Sequence, residues 1–250
     1  MATTTLYIDS RAKISGSHAD FKVSLPEQVT LRGARVRVDN IRTMDTFMTV
    51  SVRNKYAYFE TAGVGLNWVE LAPGAYTGAS FAAELAGKSG RACTYSPATN
   101  SLTMEYAQAT RIIWSDAELA TISPGVVPMP ADASPSNPRS INDIRGAGEV
   151  TGSTITFPFV TMAPLQDLYL CSHHLMVHES WMPYGQRHAL AKLSLPGGFG
   201  TTVEGASPEN IFFDLGEHLT LKEVDFQLRD YRGYIVPLLA PISFQLIFES

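Results

Sequence analysis

Charge is sparse in this chain. Asp, Glu, Lys and Arg make up 17% of its 250 residues, and the net charge is −5 at pH 7. Nothing in that balance suggests the basic patch of a nucleic-acid clamp. Cysteine is nearly absent, with Cys93 and Cys171 alone and far apart. Two distant thiols build no disulfide framework, which points to synthesis inside a cell; a single bridge between them stays open. No apolar run approaches the length of a membrane span, and Met1–Leu6 does not read as a signal peptide. Asn-x-Ser/Thr acceptors and the Arg-Gly-Asp tripeptide are missing. So are a Gly-x-Ser-x-Gly elbow and a reactive-cysteine signature. Gly146-Ala147-Gly148 lacks the third glycine of a dinucleotide fingerprint, and Gly197-Gly198-Phe199-Gly200 lacks the lysine of a phosphate loop.

What the chain has is alternation. In Leu219–Phe248, Val224, Phe226 and Leu228 alternate with Asp225, Gln227 and Arg229. A period of two puts one face of a strand in a core and the other outside. Asp230 to Gly233 supply a turn, with Gly233 free to take positive φ. Ile242, Phe244, Leu246 and Phe248 then alternate with Ser243, Gln245 and Glu249. Two such bulky strands read as central members of a β-sandwich, because an unpaired apolar end is an aggregation hazard.

The same pattern marks Thr3–Ser10, Asp20–Leu31 and Ala34–Met44, with Pro26 expected to break its strand or lie at an edge. Asp45–Val52 and Lys55–Thr61 read as further strands. Leu66–Leu71 ends in a Pro-Gly turn, and the spacing of Phe81 and Leu85 predicts a helix over about 80–88, ended by Gly87 or Gly90. Cys93–Ser96, Ser101–Tyr106 and Arg111–Trp114 read as short strands, with Pro97 to Asn100 a turn between the first two. Ser115 and Glu118 have capping-box spacing for a second helix. Ser123–Pro138 carries five prolines in sixteen residues and predicts a long loop or arm. Strands are expected again at Thr154–Val160, Leu168–Leu175, Ala189–Leu195 and Asn210–Leu215.

Candidate chemistry is thin. Cys171, His173, His174 and His178 cluster, but zinc needs four converging ligands and no second cluster completes the set. A solvated or interfacial strand end is the stronger reading. Asp225 and Asp230 read as solvated or at a subunit contact rather than as a glycosidase pair. Trp68, Trp114, Trp181, Tyr184 and Tyr231 could form a sugar-stacking platform. Trp181 and Tyr184, in the loop Glu179–Gly185, are the best candidates for an exposed contact surface, joined by Pro128, Pro130 and Pro135 of the proline-rich stretch. No catalytic, cofactor-binding or metal-binding residue is expected.

The phrases Val69–Tyr76 (VELAPGAY), Thr94–Met104 (TYSPATNSLTM), Leu168–Leu175 (LYLCSHHL), Leu195–Gly200 (LPGGFG), Val224–Gly233 (VDFQLRDYRG) and Ser243–Phe248 (SFQLIF) stand in an order that resembles penton-type minor capsid proteins. Those belong to tailless icosahedral double-stranded DNA viruses of the polinton, adintovirus and virophage kind. The resemblance implies an all-β fold, a jelly-roll β-sandwich with a small helix-containing insertion. It implies a homopentamer at capsid vertices beside a double jelly-roll major capsid protein, located in the virion, with no enzymatic activity and no cofactor. A vertex spike or receptor is a further conceivable partner; sequence-specific nucleic acid is not. One domain is expected, with jelly-roll strands from 1–61 and 153–250, a β-α-β insertion or decoration over 62–122, and an arm over 123–152. The alternative is a receptor- or carbohydrate-binding β-sandwich, a spike or lectin-like module.

Overall fold

A computed structural model describes residues 3–52, 54–61, 65–106, 110–112, 149–151, 153–163, 165–175, 180–183, 188–195, 197–207, 211–216 and 218–249. The chain divides into two compact units. One is Met1–Phe47 with Leu165–Ser250; the other, Met48–Pro164, is inserted between those segments.

The first unit opens with β1 (Thr3–Asp9), β2 (Ser15–Gly16), β3 (Asp20–Arg32) and β4 (Arg35–Met44). The inserted unit holds β5 (Tyr56–Thr61), β6 (Gly65–Glu70), α1 (Gly78–Ser89), β7 (Cys93–Ser96), β8 (Ser101–Glu105), β9 (Thr110–Ile112), β10 (Glu149–Thr151) and β11 (Thr154–Phe157). The first unit resumes with β12 (Asp167–Cys171), β13 (Ala189–Ser194), β14 (Thr202–Gly205), β15 (Phe213–Asp214), β16 (His218–Arg229) and β17 (Ser243–Glu249).

Pairing in the first unit is nested. β1 pairs with β17, β3 with β16, β4 with β14, and β12 with β13, all antiparallel. The long ribbon this makes is folded over itself by β17 pairing with β4 and β16 with β12. Two sheets result, β1-β17-β4-β14 with β15 also on β4, and β13-β12-β16-β3-β2. Eight strands wrapped in this way are a jelly roll, so the fold is all-β as the sequence predicts. β16 and β17 are both central, each flanked on two sides.

The sheets meet through the alternating residues. Phe21, Val23, Val36, Val38, Val224, Phe226, Leu228, Phe244, Leu246 and Phe248 are buried in one core. Phe226 of one sheet meets Phe244 of the other edge-on, with centroids 4.9 Å apart. Burying each such ring contributes roughly 1.5–3 kcal/mol. In β4 the inward set slips from Val36 and Val38 to Ile41. The cause is Asn40, at φ 48 opposite a register shift in β17. Asn tolerates the left-handed region, and the Asp39 carboxylate accepts the Asn40 N–H at 2.9 Å. Pro26 sits where β3 and β16 lose register between Ser24 and Val29. The carbonyls of Leu25 and Pro26 there accept from Lys222 Nζ at 3.0 and 3.3 Å. Gly16 turns β2 into β3 at φ 91, where a Cβ would lie 2.0 Å from the Asp20 carbonyl oxygen.

The inserted unit has its own core of Phe59, Leu71, Phe81, Leu85, Leu102, Met104, Ile155 and Phe157 among others. Its sheets are β10-β11-β8-β7 and β6-β5-β9. α1 forms where the sequence predicts a helix. The Thr77 side chain and Ser80 close a capping box, and Gly90 ends the helix in the left-handed conformation. Asn100, at φ 51 in the β7–β8 turn, donates to the Val160 carbonyl at 2.7 Å.

Three details depart from the sequence reading. The unit boundaries fall at 47/48 and 164/165, so Tyr56–Thr61 and Thr154–Phe157 belong with the inserted core rather than with the jelly-roll strands. Asp45–Val52 forms no regular strand, because its polar groups close local turns. Asp45 accepts the Phe47 N–H at 3.0 Å, and Asn54 Nδ2 donates to the Thr49 carbonyl at 3.1 Å. Of the described residues in Asn210–Leu215, Phe213–Asp214 form the strand. The expected helix from Ser115, the strand end at Trp114 and the proline-rich stretch lie outside the described residues.

Candidate functional site

On the outer face of the second sheet, β16 presents Asp225, Gln227 and Arg229, and the turn that leaves β12 folds over them. The Asp225 Oδ1 accepts the backbone N–H groups of His173 and His174 at 3.1 and 2.8 Å, and lies 2.5 Å from His174 Nδ1. Ser172 Oγ donates to the same oxygen at 3.3 Å and accepts the Leu175 N–H at 3.3 Å. Asp225 is 7% exposed, not solvated as its place on the polar face predicts. Burial alone would raise its pKa. The backbone N–H and side chain of His174, then the His173 N–H, outweigh burial and hold the carboxyl below the ordinary range. Asp230 also departs from the solvated reading. It is 3% exposed and accepts the N–H groups of Arg232 and Tyr234 at 3.0 and 2.9 Å, pinning the turn at Gly233.

The chemistry this allows is anchoring. Ser172 and His174 both engage the Asp225 carboxylate, so both side chains tie the turn after β12 to β16. Gln227 links the neighbours. Its Oε1 accepts from Arg229 Nε at 3.0 Å and sits 3.1 Å from His173 Nε2, while its Nε2 donates to Asp20 Oδ1 at 3.2 Å.

The Cys/His cluster does not converge. Cys171 packs with Met182, Ala189 and Tyr169, and burial pushes its thiol up to about 12. His173 turns to Gln227 and His174 to Asp225. His178 lies outside the described residues. Cys93 and Cys171 are both free thiols.

Of the candidate contact residues, Trp181 is 60% exposed, next to the buried Met182 that seats its segment on Cys171. Tyr184, Pro128, Pro130 and Pro135 lie outside the described residues, as does Trp114. Trp68 stands on β6 of the inserted unit, whereas Trp181 and Tyr231 belong to the jelly roll. Gly198 and Gly200 take φ 76 and 86, which makes Gly197–Gly200 a tight turn.

Sequence reasoning overlooks one surface. β1 ends its sheet, and Tyr7 on it is 78% exposed. Periodicity shows a strand there but not that the strand is an edge.

No family model matches the chain, and no curated protein matches it. Among solved structures, the crystal structure of the mavirus penton protein is similar over 100% of both chains, at a TM-score of 0.53 and 9% sequence identity. At that identity the likeness is one of fold.

Proposed function

We propose that this chain is a penton, a minor capsid protein at the vertices of an icosahedral virion, assembling as a homopentamer beside a double jelly-roll major capsid protein. The observation that carries the reading is the end-to-end likeness to a penton protein, which takes in the inserted unit as well as the eight-stranded jelly roll. The buried carboxylates fit a scaffold, since Asp225 and Asp230 each hold a turn. A vertex subunit needs heterologous contacts, in which one patch meets a different patch on the next copy.

The test is native mass spectrometry of the purified protein, alone and with its major capsid protein. A ring of five 27.3 kDa chains, seated at vertices, is the expected result. A chain that stays monomeric and never joins a capsid overturns the reading. The exposed Trp181 favours a second reading, a receptor- or glycan-binding sandwich. Glycan-array binding lost in Trp181→Ala would support it.

A further inference from the structure

We infer that the β1 edge of the jelly roll pairs with the β14 edge of a second copy, so that one sheet continues from subunit to subunit. The inference rests on the pentamer reading and names its interface.

The backbone shows which groups are on offer. Ser10 N–H donates to the Ile242 carbonyl at 2.9 Å, one step beyond the Asp9–Ser243 pair. In an antiparallel ladder, pairs that exchange bonds alternate with pairs that do not. Residues 4, 6 and 8 therefore bond to β17, and the N–H and C=O groups of Thr3, Thr5 and Tyr7 point away from it. At the other end of the sheet, Asp45 N–H donates to the Thr201 carbonyl at 2.8 Å, and Ser207 N–H to the Val38 carbonyl at 3.0 Å. Odd residues of β14 thus face β4, while Thr202 and Glu204 aim their backbone groups outward. Among the described residues no strand pairs with either edge.

Among the described residues no strand pairs over the outer edge of β1, and its own sequence carries none of the charge, proline or bulge protections of an edge. From Thr3 to Ile8 it reads Thr-Thr-Thr-Leu-Tyr-Ile, with no Lys, no Pro, no charge and an unbroken register against β17. Threonine and tyrosine favour strands, so this is a template for strand addition. Topology selects the occupant. The sheet has four strands along its path, all antiparallel. An even count makes β1 and β14 run in opposite directions. A copy added head to tail then places β14 against β1 with the alternation preserved. Two different edges meet, which makes the contact heterologous and able to close a ring.

Two prolines test it. Thr5→Pro and Glu204→Pro each remove an outward N–H and leave the ladder inside the subunit intact, as edge prolines do. Each alone is expected to be folded by circular dichroism and monomeric by native mass spectrometry. Mixed in equal amounts, they keep one good edge each, so heterodimers and no larger species are expected. Tyr7→Lys, at a side chain already in solvent, is the milder variant if a proline disturbs folding, and it should also break the ring. Pentamers that persist in all three folded variants overturn the inference and leave the pentamer reading standing. A wild-type chain that is monomeric throughout overturns both.

Discussion

Asp225 and His174, fifty-one positions apart, are joined at 2.5 Å between Oδ1 and Nδ1, and the same oxygen takes the His174 backbone N–H. A strand residue on a nominally polar face thereby fixes the turn that leaves the neighbouring strand. Replacing a buried, charged acceptor leaves donors unsatisfied, at about 1.5–3 kcal/mol for bonds to a charged group. Asp225→Asn should therefore lose that order of stability in urea unfolding. A change below about 0.5 kcal/mol, the range of a surface site, would contradict the anchoring role. Phe226→Asp, one position on, should yield no folded protein, because it places an unpaired charge in the core.

Acid should act through the same carboxylate. Its folded pKa is depressed, so its contribution is full above the unfolded value near 3.9 and is lost as pH falls through the folded pKa. Asp45 runs the other way. Burial raises its pKa, against a smaller pull from the Phe47 N–H, so acidification below that raised value relieves a cost. Urea midpoints at pH 7 and pH 3 should fall further for wild type than for Asp225→Asn, and less for wild type than for Asp45→Asn. Parallel curves would remove these assignments.

Both thiols should resist alkylation while the protein is folded. Burial pushes Cys93 and Cys171 up to about 12, so the reactive thiolate is scarce at pH 8. Iodoacetamide should label neither in native buffer within the time it labels both in urea. Rapid native labelling of Cys171 would mean that the Met182 cover opens readily.

The inserted unit should be removable. Thr49 Oγ1 donates to the Met162 carbonyl at 2.8 Å, so its two ends lie together. Units with separate cores and adjacent chain crossings tolerate excision. Residues 1–47 joined to 165–250 by a short Gly-Ser linker should give a cooperative, β-rich thermal transition. An aggregated or unfolded product would show that the jelly roll needs the insert.

The strands and their inward faces are legible in the sequence because side chains alternate whatever the strand pairs with. Val224, Phe226 and Leu228 needed no structure to be placed inside. The core each strand joins is not legible: Tyr56–Thr61 alternates as the jelly-roll strands do, yet Ala57 and Phe59 pack with Leu85 and Phe157. Asp225 misleads for a related reason. Period two reports a face, and what lies over that face is the turn at His173–His174, some fifty residues away. Thr202–Gly205 is not legible because four residues, one of them buried Val203, give too short a pattern.

The nesting of the strand pairs also sets an order in time. β1 finds its partner at residues 243–249, so it must wait for strands far along the chain, whereas the inserted core is built from residues between Val50 and Met162. Contacts so distant in sequence close slowly. The innermost hairpin, β12 with β13, can form first, and the sheet that holds β1 comes last. Until then Thr3–Ile8 is an uncharged strand with both edges open. The segment inferred to join subunits is thus also among the last to find its partner, and in refolding experiments protease sensitivity should persist there until β17 has paired.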